Sequence, residues 1–233
     1  MNKFALILGH NRPVEIQDVI NDIKDQVDYI LVIDNASEPP LHTQLKKPEG
    51  TPLTFLRDMT QPANLPRLWN IGFEQIRMLA EGEAAAAAFA GIFKYGYHIA
   101  VLTDDVRIPE GWFHAVVDAM ERTGAAAGCS SPWDGRLTQE LLKTQPDSDI
   151  ANRMFGPAFI LRGGTGIKAN EDLKWWWNDT DLDWKARGAG GMVVIPTHPV
   201  VNRYPNASTV GVNAEQAGRD HEAFKEFWGW SPW

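Results

Sequence analysis

A run of five apolar residues, Tyr29 to Ile33, constrains the fold of this chain more than any other segment. Its length suits a β-strand, and its unbroken apolar character is typical of a strand that is covered on both faces in a parallel sheet. The run Leu6–Leu8 predicts an earlier strand. Between the two runs, apolar residues recur at helical spacing: Val14, Ile16, Val19, Ile20, Ile23 and Val27. The first 33 residues therefore predict a β-α-β unit.

The rest of the chain continues this alternation. Predicted strands cover residues 53–56, 98–102, 125–129, 158–161 and 192–195. Predicted helices cover residues 65–79, 113–120, 180–187 and 217–228, and the alanine-rich residues 84–88 extend the first of these. The pattern contains no internal repeat and no linker, so we expect one α/β domain.

Composition narrows the class of protein. The 22 lysines and arginines against 30 acidic residues give a net charge of −8, which argues against a surface built mainly to bind nucleic acid. The single cysteine, Cys129, cannot form an intramolecular disulfide. The apolar run Phe4–Leu8 is shorter than the core of a signal peptide, and no segment approaches the roughly 20 apolar residues of a membrane span. We therefore expect a cytoplasmic protein without a transmembrane segment.

Polar residues follow three of the predicted strands. Gly9–Arg12 follows the first strand, Asp34–Asn35 the second and Asp104–Asp105 the fourth. In an open parallel sheet, ligands bind beyond the carboxyl ends of the strands, where such loops meet. The pattern predicts a nucleotide site in which Asp34 accepts hydrogen bonds from a base or a ribose.

The adjacent carboxylates Asp104 and Asp105 point to a cation. Two neighbouring negative charges after a buried strand repel each other unless a cation or hydrogen bonds compensate. Oxygen ligands suit Mg²⁺ or Mn²⁺, which take further ligands from water and phosphates. An alternative interpretation is a capping pair before the turn at Pro109–Gly111, and the local sequence does not choose between the two.

Five segments, in this order, match motifs of a known family. They are residues 8–13 (LGHNRP), 32–37 (VIDNAS), 64–72 (NLPRLWNIG), 102–109 (LTDDVRIP) and 177–190 (WNDTDLDWKARGAG). Their order and spacing resemble those of the inverting glycosyltransferases of family 2, over nearly the whole chain. The resemblance implies a GT-A fold, which is a Rossmann-like nucleotide-diphospho-sugar transferase fold, in a single domain with a mixed central sheet.

The resemblance also implies roles for individual residues. Asp179 would be the general base, and Asp105 would bind a divalent metal, Mn²⁺ or Mg²⁺. His198 lies where many relatives have a histidine metal ligand, although an ordinary loop histidine is an equally good interpretation. Residues about 1–106 would form the donor half and about 107–233 the acceptor half. The residues that would contact the nucleotide-sugar are His10, Asn11, Arg12, Asp34, Asn64, Asn70 and Asp104.

Two residues depart from the family pattern. Thr103 stands where the metal motif has its first acid, and Asn178 stands where a glutamate precedes the base. Because Asp105 and Asp179 are both present, we expect an active glycosyltransferase. The alternative, which these two departures favour, is a catalytically degenerate domain that binds a nucleotide sugar or a glycan without turnover.

The acceptor and the donor sugar remain open at this stage. Indole faces stack on pyranose rings, so Trp133 and Trp177, with Asp181, are candidate acceptor contacts, whereas core packing is the simpler role for most of the ten tryptophans. A glycan, a lipid-linked saccharide, a protein side chain or a modified nucleic-acid base would each present a hydroxyl. Two other enzyme classes fit poorly: residues 9–12 lack the Gly-rich, basic loop of a nucleotidyltransferase and the Gly-x-Gly-x-x-Gly of a Rossmann dehydrogenase.

Overall fold

A computed structural model describes residues 2–89, 96–131, 140–142, 153–203 and 213–231. The helices are α1 (Pro13–Ile23), α2 (Leu65–Phe89), α3 (Trp112–Thr123), α4 (Asn178–Gly188) and α5 (Asn213–Trp228). The first five strands are β1 (Asn2–Gly9), β2 (Tyr29–Asn35), β3 (Leu53–Asp58), β4 (Tyr97–Leu102) and β5 (Val106–Arg107). The other five are β6 (Ala127–Ser130), β7 (Glu140–Leu142), β8 (Ala158–Arg162), β9 (Met192–Ile195) and β10 (Val201–Asn202).

Eight of the described strands form one mixed sheet in the order β3-β2-β1-β4-β8-β6-β9-β7. Strands β1 to β4 are parallel, whereas β8 lies antiparallel between β4 and β6. Strand β9 is parallel to β6, and β7 is antiparallel at the edge. Since β4 and β6 both oppose β8, they run in the same direction. The carboxyl ends of β1, β2, β4, β6 and β9 therefore reach the same edge of the sheet.

The sheet is covered on both faces. Within β2, Ile30 and Val32 pack with α1 and α3 on one face, and Leu31 and Ile33 pack with α2 and α4 on the other. This arrangement is the physical reason for the unbroken apolar run, and it confirms the predicted α/β class with a mixed sheet. In the part of the chain that the structure describes, no helix combines the length and apolar character needed to cross a membrane.

Helix α2 lies unusually close to the sheet at Gly72. A Cβ atom at this position would lie 2.5 Å from both Leu6 methyl groups, so any larger residue here would force the Leu6 side chain to shift. The structure also differs from the predicted elements elsewhere, and the edge strand β7 was not expected from the sequence. Helix α1 ends at Ile23, so Val27 joins the core from the turn that follows it, and a two-stranded ribbon, β5–β10, was not expected from the sequence.

Ionisation of His98 is predicted to make stability depend on pH. This β4 side chain is 1% exposed, and burial, assisted by the nearby Arg162, lowers its pKa to about 4. The unfolded chain has a histidine pKa near 6.5, so acidification protonates the unfolded state first. The contribution of neutral His98 is therefore complete above pH 6.5 and falls by about 3 kcal/mol as the pH drops to about 4.

Urea unfolding of the wild type and of His98→Leu at several pH values measures this contribution. The difference between the two unfolding free energies should change by that amount between pH 7 and pH 4, while the carboxylates other than Glu121, which lies 3.3 Å from His98 Nε2, affect both proteins equally. Parallel pH profiles for the two proteins would contradict the assignment.

Candidate active site

An ion pair joins the loops after β1 and β4 at the carboxyl edge of the sheet. Arg12 Nη1 donates to Asp104 Oδ1 at 2.9 Å, and Arg12 Nε lies 3.5 Å from Glu15. Burial raises the pKa of Asp104 to about 6, and the neighbouring Asp105 adds to this rise while Arg12 opposes it. The two adjacent carboxylates therefore carry a charge repulsion that Arg12 only partly offsets.

Asp105 is tied to the segment before β8 through Thr103. The Thr103 hydroxyl donates to Asp105 Oδ1 at 2.5 Å and lies 3.3 Å from the Pro157 carbonyl oxygen. The Thr103 backbone N–H donates to the same Pro157 carbonyl at 2.9 Å. The residue that departs from the family motif thus holds the neighbouring carboxylate rather than adding a second negative charge.

Asp179 lies in the first turn of α4, against Gly156. Its Oδ1 accepts the Thr180 backbone N–H at 2.9 Å, and a Cβ atom at Gly156 would lie 2.5 Å from its Oδ2. Burial raises the pKa of Asp179; Asp183 raises it further, while Arg153 lowers it. A carboxylate with increased proton affinity suits a general base.

The predicted metal ligand, Asp105, and the predicted general base, Asp179, are both linked to one short segment. Asp105 reaches Pro157 through Thr103, and Asp179 packs on Gly156, which is the preceding residue. Nothing in the sequence signalled Gly156, because its contribution is the space left by a missing side chain.

The loops after β1 and β2 are joined by hydrogen bonds. Asp34 is buried, and its two oxygens accept the backbone N–H groups of Ser37 and Leu41, each at 2.9 Å. Asn11, in the left-handed region with φ 55°, donates its backbone N–H to Ser37 Oγ and accepts the Glu38 N–H. Asp34 therefore shapes the loop with both oxygens, and its role as a nucleoside contact stays a prediction.

His10 belongs to the same pair of loops. Its Nδ1 lies 2.5 Å from the Asn35 carbonyl oxygen, and its Nε2 lies 3.1 Å from the Asn11 side-chain nitrogen. His10 and Asn11 thus lie beside the end of β2, whereas the next residue, Arg12, pairs with Asp104 after β4.

Asn64 and Asn70 have structural partners instead of a free surface. Asn64 caps α2 by accepting the Arg67 N–H at 3.1 Å, and its amide donates to the Glu171 carbonyl at 3.0 Å. The Asn70 amide exchanges two hydrogen bonds with the Ala169 backbone and donates to the Glu171 side chain. Both amides fasten α2 to residues 169–171, so this geometry gives no support to the predicted donor contacts.

His198 lies against the turn that follows β5, and its role as a metal ligand stays a prediction. The ribbon pairs Val201 with Arg107, and the Arg203 N–H donates to the Asp105 carbonyl, so Asp105 lies opposite residue 203. His198 lies toward the other end, where a Cβ atom at Gly111 would be 3.4 Å from its Nε2. Among the described residues, no group of three or more His, Cys, Asp or Glu side chains is arranged to hold a metal ion.

The predicted acceptor contacts receive little support. Asp181 is 0% exposed and accepts hydrogen bonds from Lys185 Nζ, Trp228 Nε1 and the Asn170 N–H, and its role as an acceptor contact stays a prediction. Trp177 is stacked on His221, with ring centroids 4.6 Å apart and an interplanar angle of 7°. Trp133 lies outside the described residues.

Comparison with known proteins shows the fold. No family model matches the sequence, and no curated protein matches it. Among solved structures, S. aureus TarS 1–349 in complex with UDP-GlcNAc is 12% identical, covers 99% of this chain and 74% of its own, and has a TM-score of 0.58. GalNAc-T7 with UDP, GalNAc and Mn²⁺ is 12% identical over 91% of this chain and 45% of its own, with a TM-score of 0.57. Both are glycosyltransferases, and the likeness confirms the predicted GT-A fold.

Proposed function

We propose that this GT-A chain is an inverting glycosyltransferase that moves a sugar from a nucleoside-diphosphate sugar to an acceptor hydroxyl. Asp179 acts as the general base, and Asp105 binds a divalent metal, Mn²⁺ or Mg²⁺. The similar structures support the donor class, because TarS was solved with UDP and with UDP-GlcNAc. The GalNAc-T7 structure, solved with UDP, GalNAc and Mn²⁺, supports the metal.

The observation that carries the proposal is the convergence of Asp105 and Asp179 on Gly156–Pro157. In a single displacement, a base takes the proton of the attacking hydroxyl on one side of the anomeric carbon, and charge on the departing diphosphate is neutralised on the other. Two carboxylates that are linked through one short segment, one of them with a raised pKa, supply the residues for both sides.

The residues present fit a divalent cation. Asp104 and Asp105 are adjacent oxygen donors whose mutual repulsion a cation would relieve, and Asp104 has a raised pKa for this reason among others. Asp105 would be the protein ligand, since Asp104 is paired with Arg12. The diphosphate and water would complete the shell, as is usual for Mg²⁺. When bound, such a cation acts as a Lewis acid that neutralises the leaving diphosphate.

The donor nucleoside is proposed to lie against the paired loops after β1 and β2. His10, Asn11 and Arg12 supply side chains there, while Asp34 keeps the second loop in shape through its two backbone hydrogen bonds. Residues 1–106 are accordingly assigned to the donor and the rest of the chain to the acceptor.

Binding without turnover is the second candidate. The observation in its favour is Asn178, which replaces the glutamate before the base and is 2% exposed, with neither side-chain polar atom hydrogen-bonded. An amide in this environment neither accepts nor releases a proton, so it gives no help to catalysis.

Thermal unfolding with nucleotides tests the donor class. UDP, GDP and dTDP are added in turn, each with and without Mn²⁺, together with Mn²⁺ alone as a control. A nucleotide at about 100 times its dissociation constant adds roughly 2.7 kcal/mol to the unfolding free energy, which raises the midpoint measurably. We expect one nucleotide to stabilise the protein only with Mn²⁺. No shift in any combination would contradict the proposed donor site.

Release of the nucleoside diphosphate from UDP-GlcNAc and other nucleotide sugars separates the two candidates. Water serves as the acceptor in this assay, so the natural acceptor is not required. Slow turnover supports the transferase, whereas binding without any release supports the degenerate domain.

A further inference from the structure

Helix α5 carries a buried carboxylate that gathers three successive backbone N–H groups. Asp220 is 1% exposed and accepts from the backbone of Lys174 at 3.0 Å and of Trp175 and Trp176 at 2.8 Å each. The Gln216 side-chain amide donates to it at 2.7 Å. Consecutive N–H groups that converge on one point form an anion site, and here the protein's own carboxylate fills it. The loop before α4 is thereby fixed to α5.

Trp177, which follows Trp176, contacts His221, which follows Asp220 on α5. Trp177 lies in the left-handed region with φ 66°, which is unfavourable for a large side chain. Its ring stacks on His221, and the Phe224 ring lies 5.0 Å from it. The His221 ring is fixed in turn, since Nε2 lies 2.7 Å from Ser231 Oγ. These contacts stabilise the strained turn from which α4 begins.

A third contact joins the other end of α5 to α4 itself. Trp228 Nε1 donates to Asp181 Oδ1 at 3.1 Å, and Phe224 is buried with its ring 4.9 Å from that of Trp184. Helix α5 therefore contacts residues 174–177 and the body of α4, on both sides of Asp179 in the sequence.

The fit of Asp179 against Gly156 makes its position sensitive to this support. A Cβ atom at Gly156 would lie 2.5 Å from Asp179 Oδ2, so the carboxylate is packed closely against Gly156. A small rotation of the first turn of α4 would move the carboxylate relative to this segment. A misplacement of about 1 Å costs up to about a hundredfold in rate.

We infer that Asp220 is a positioning residue for the general base, which it controls through the backbone of residues 174–176 and the turn at Trp177. This inference rests on the proposed role of Asp179. Asp220 contacts backbone groups of the loop rather than the reacting atoms, so it acts on turnover through geometry.

Asp220→Asn tests the inference, because it replaces one of the two accepting carboxylate oxygens with an amide nitrogen, which is a donor. The backbone N–H groups of the loop then lose part of their acceptor. Glu222→Gln is the matched control: Glu222 is on the same helix, its side chain is exposed and its ion pair is with Lys225. Hydrogen exchange is followed on peptides covering residues 174–177. The release of UDP from UDP-GlcNAc is measured as kcat and KM, and UDP binding with Mn²⁺ shows whether the donor half is folded.

For Asp220→Asn we expect exchange of these amides to accelerate about tenfold or more and kcat to fall by about tenfold to a hundredfold, with KM and UDP affinity within about twofold of the wild type. Glu222→Gln should match the wild type in every measurement. Unchanged exchange, or faster exchange with unchanged kcat, would overturn the inference. A wild-type protein that binds UDP but releases none from any nucleotide sugar would instead overturn the proposed function, and with it the role of Asp179 on which the inference rests.

Discussion

Replacing Asp179 with asparagine is expected to lower UDP release from the donor by about a hundredfold to ten-thousandfold, the contribution typical of a general base. The amide keeps the shape of the side chain and can still accept the Thr180 N–H, but it cannot take a proton. Nucleotide affinity should stay within about twofold of the wild type, because the metal and nucleoside contacts are assigned to other loops. Turnover at saturating donor and calorimetric titration with UDP and Mn²⁺ measure the two quantities separately.

Asp172→Asn provides the control for this experiment. Asp172 is an exposed residue of the loop that leads to α4, so the change removes the same charge a few residues away without touching the base. It should leave turnover unchanged. Wild-type turnover in Asp179→Asn would show that another group, or none, takes the proton.

Replacing Asp105 with asparagine is expected to weaken Mn²⁺-dependent UDP binding by about a hundredfold or more, because even the outer-shell partners of a metal site contribute about tenfold to a hundredfold. The substitution removes the anionic charge that a cation requires, while the amide oxygen can still accept from the Thr103 hydroxyl and hold the loop. UDP titrations with and without Mn²⁺ give the effect directly. Asp118→Asn, at an exposed position on α3, serves as the control.

The two substitutions should affect different steps, turnover in one case and donor binding in the other. Asp179→Asn is expected to bind the donor and fail in turnover, and Asp105→Asn is expected to fail already in binding. Equal UDP affinity with and without Mn²⁺ in the wild type would contradict the metal role of Asp105. Loss of binding in both variants would indicate unfolding of the shared segment at Gly156–Pro157, which the thermal midpoint of each protein would reveal.

Much of the fold was predictable because it depends on local patterns. The apolar run in β2 and the helical spacing in α1 each determined an element, and polar residues after the strands indicated the sheet edge at which the candidate site lies. The antiparallel insertion of β8 was not predictable in this way. A strand that is buried on both faces has the same apolar pattern whichever direction it runs, so only its pairing with β4 and β6 reveals the topology.

The sheet edge at which a candidate residue lies was predictable from the sequence, whereas the distant partners that hold several of these residues were not. Asn64 and Asn70 resembled ligand-binding amides, but acceptors 107 and 99 residues away in the sequence engage them. Asp181 was predicted as a candidate acceptor contact, and the sequence did not indicate that Trp228 and Lys185 donate hydrogen bonds to it. Asp220 had no sequence signal, since one aspartate on an amphipathic helix does not indicate what lies opposite it.

The position of β8 in the sheet has a consequence for synthesis on the ribosome. Strands β1 to β4 and helices α1 and α2 are complete once about 100 residues have emerged, yet one edge of β4 pairs only with β8, whose residues come more than 50 positions later. An unpaired edge strand is a template for pairing with another chain. During translation the nascent N-terminal half therefore exposes the unpaired backbone N–H and C=O groups of β4. We expect chaperone binding at this stage to determine the yield of folded protein.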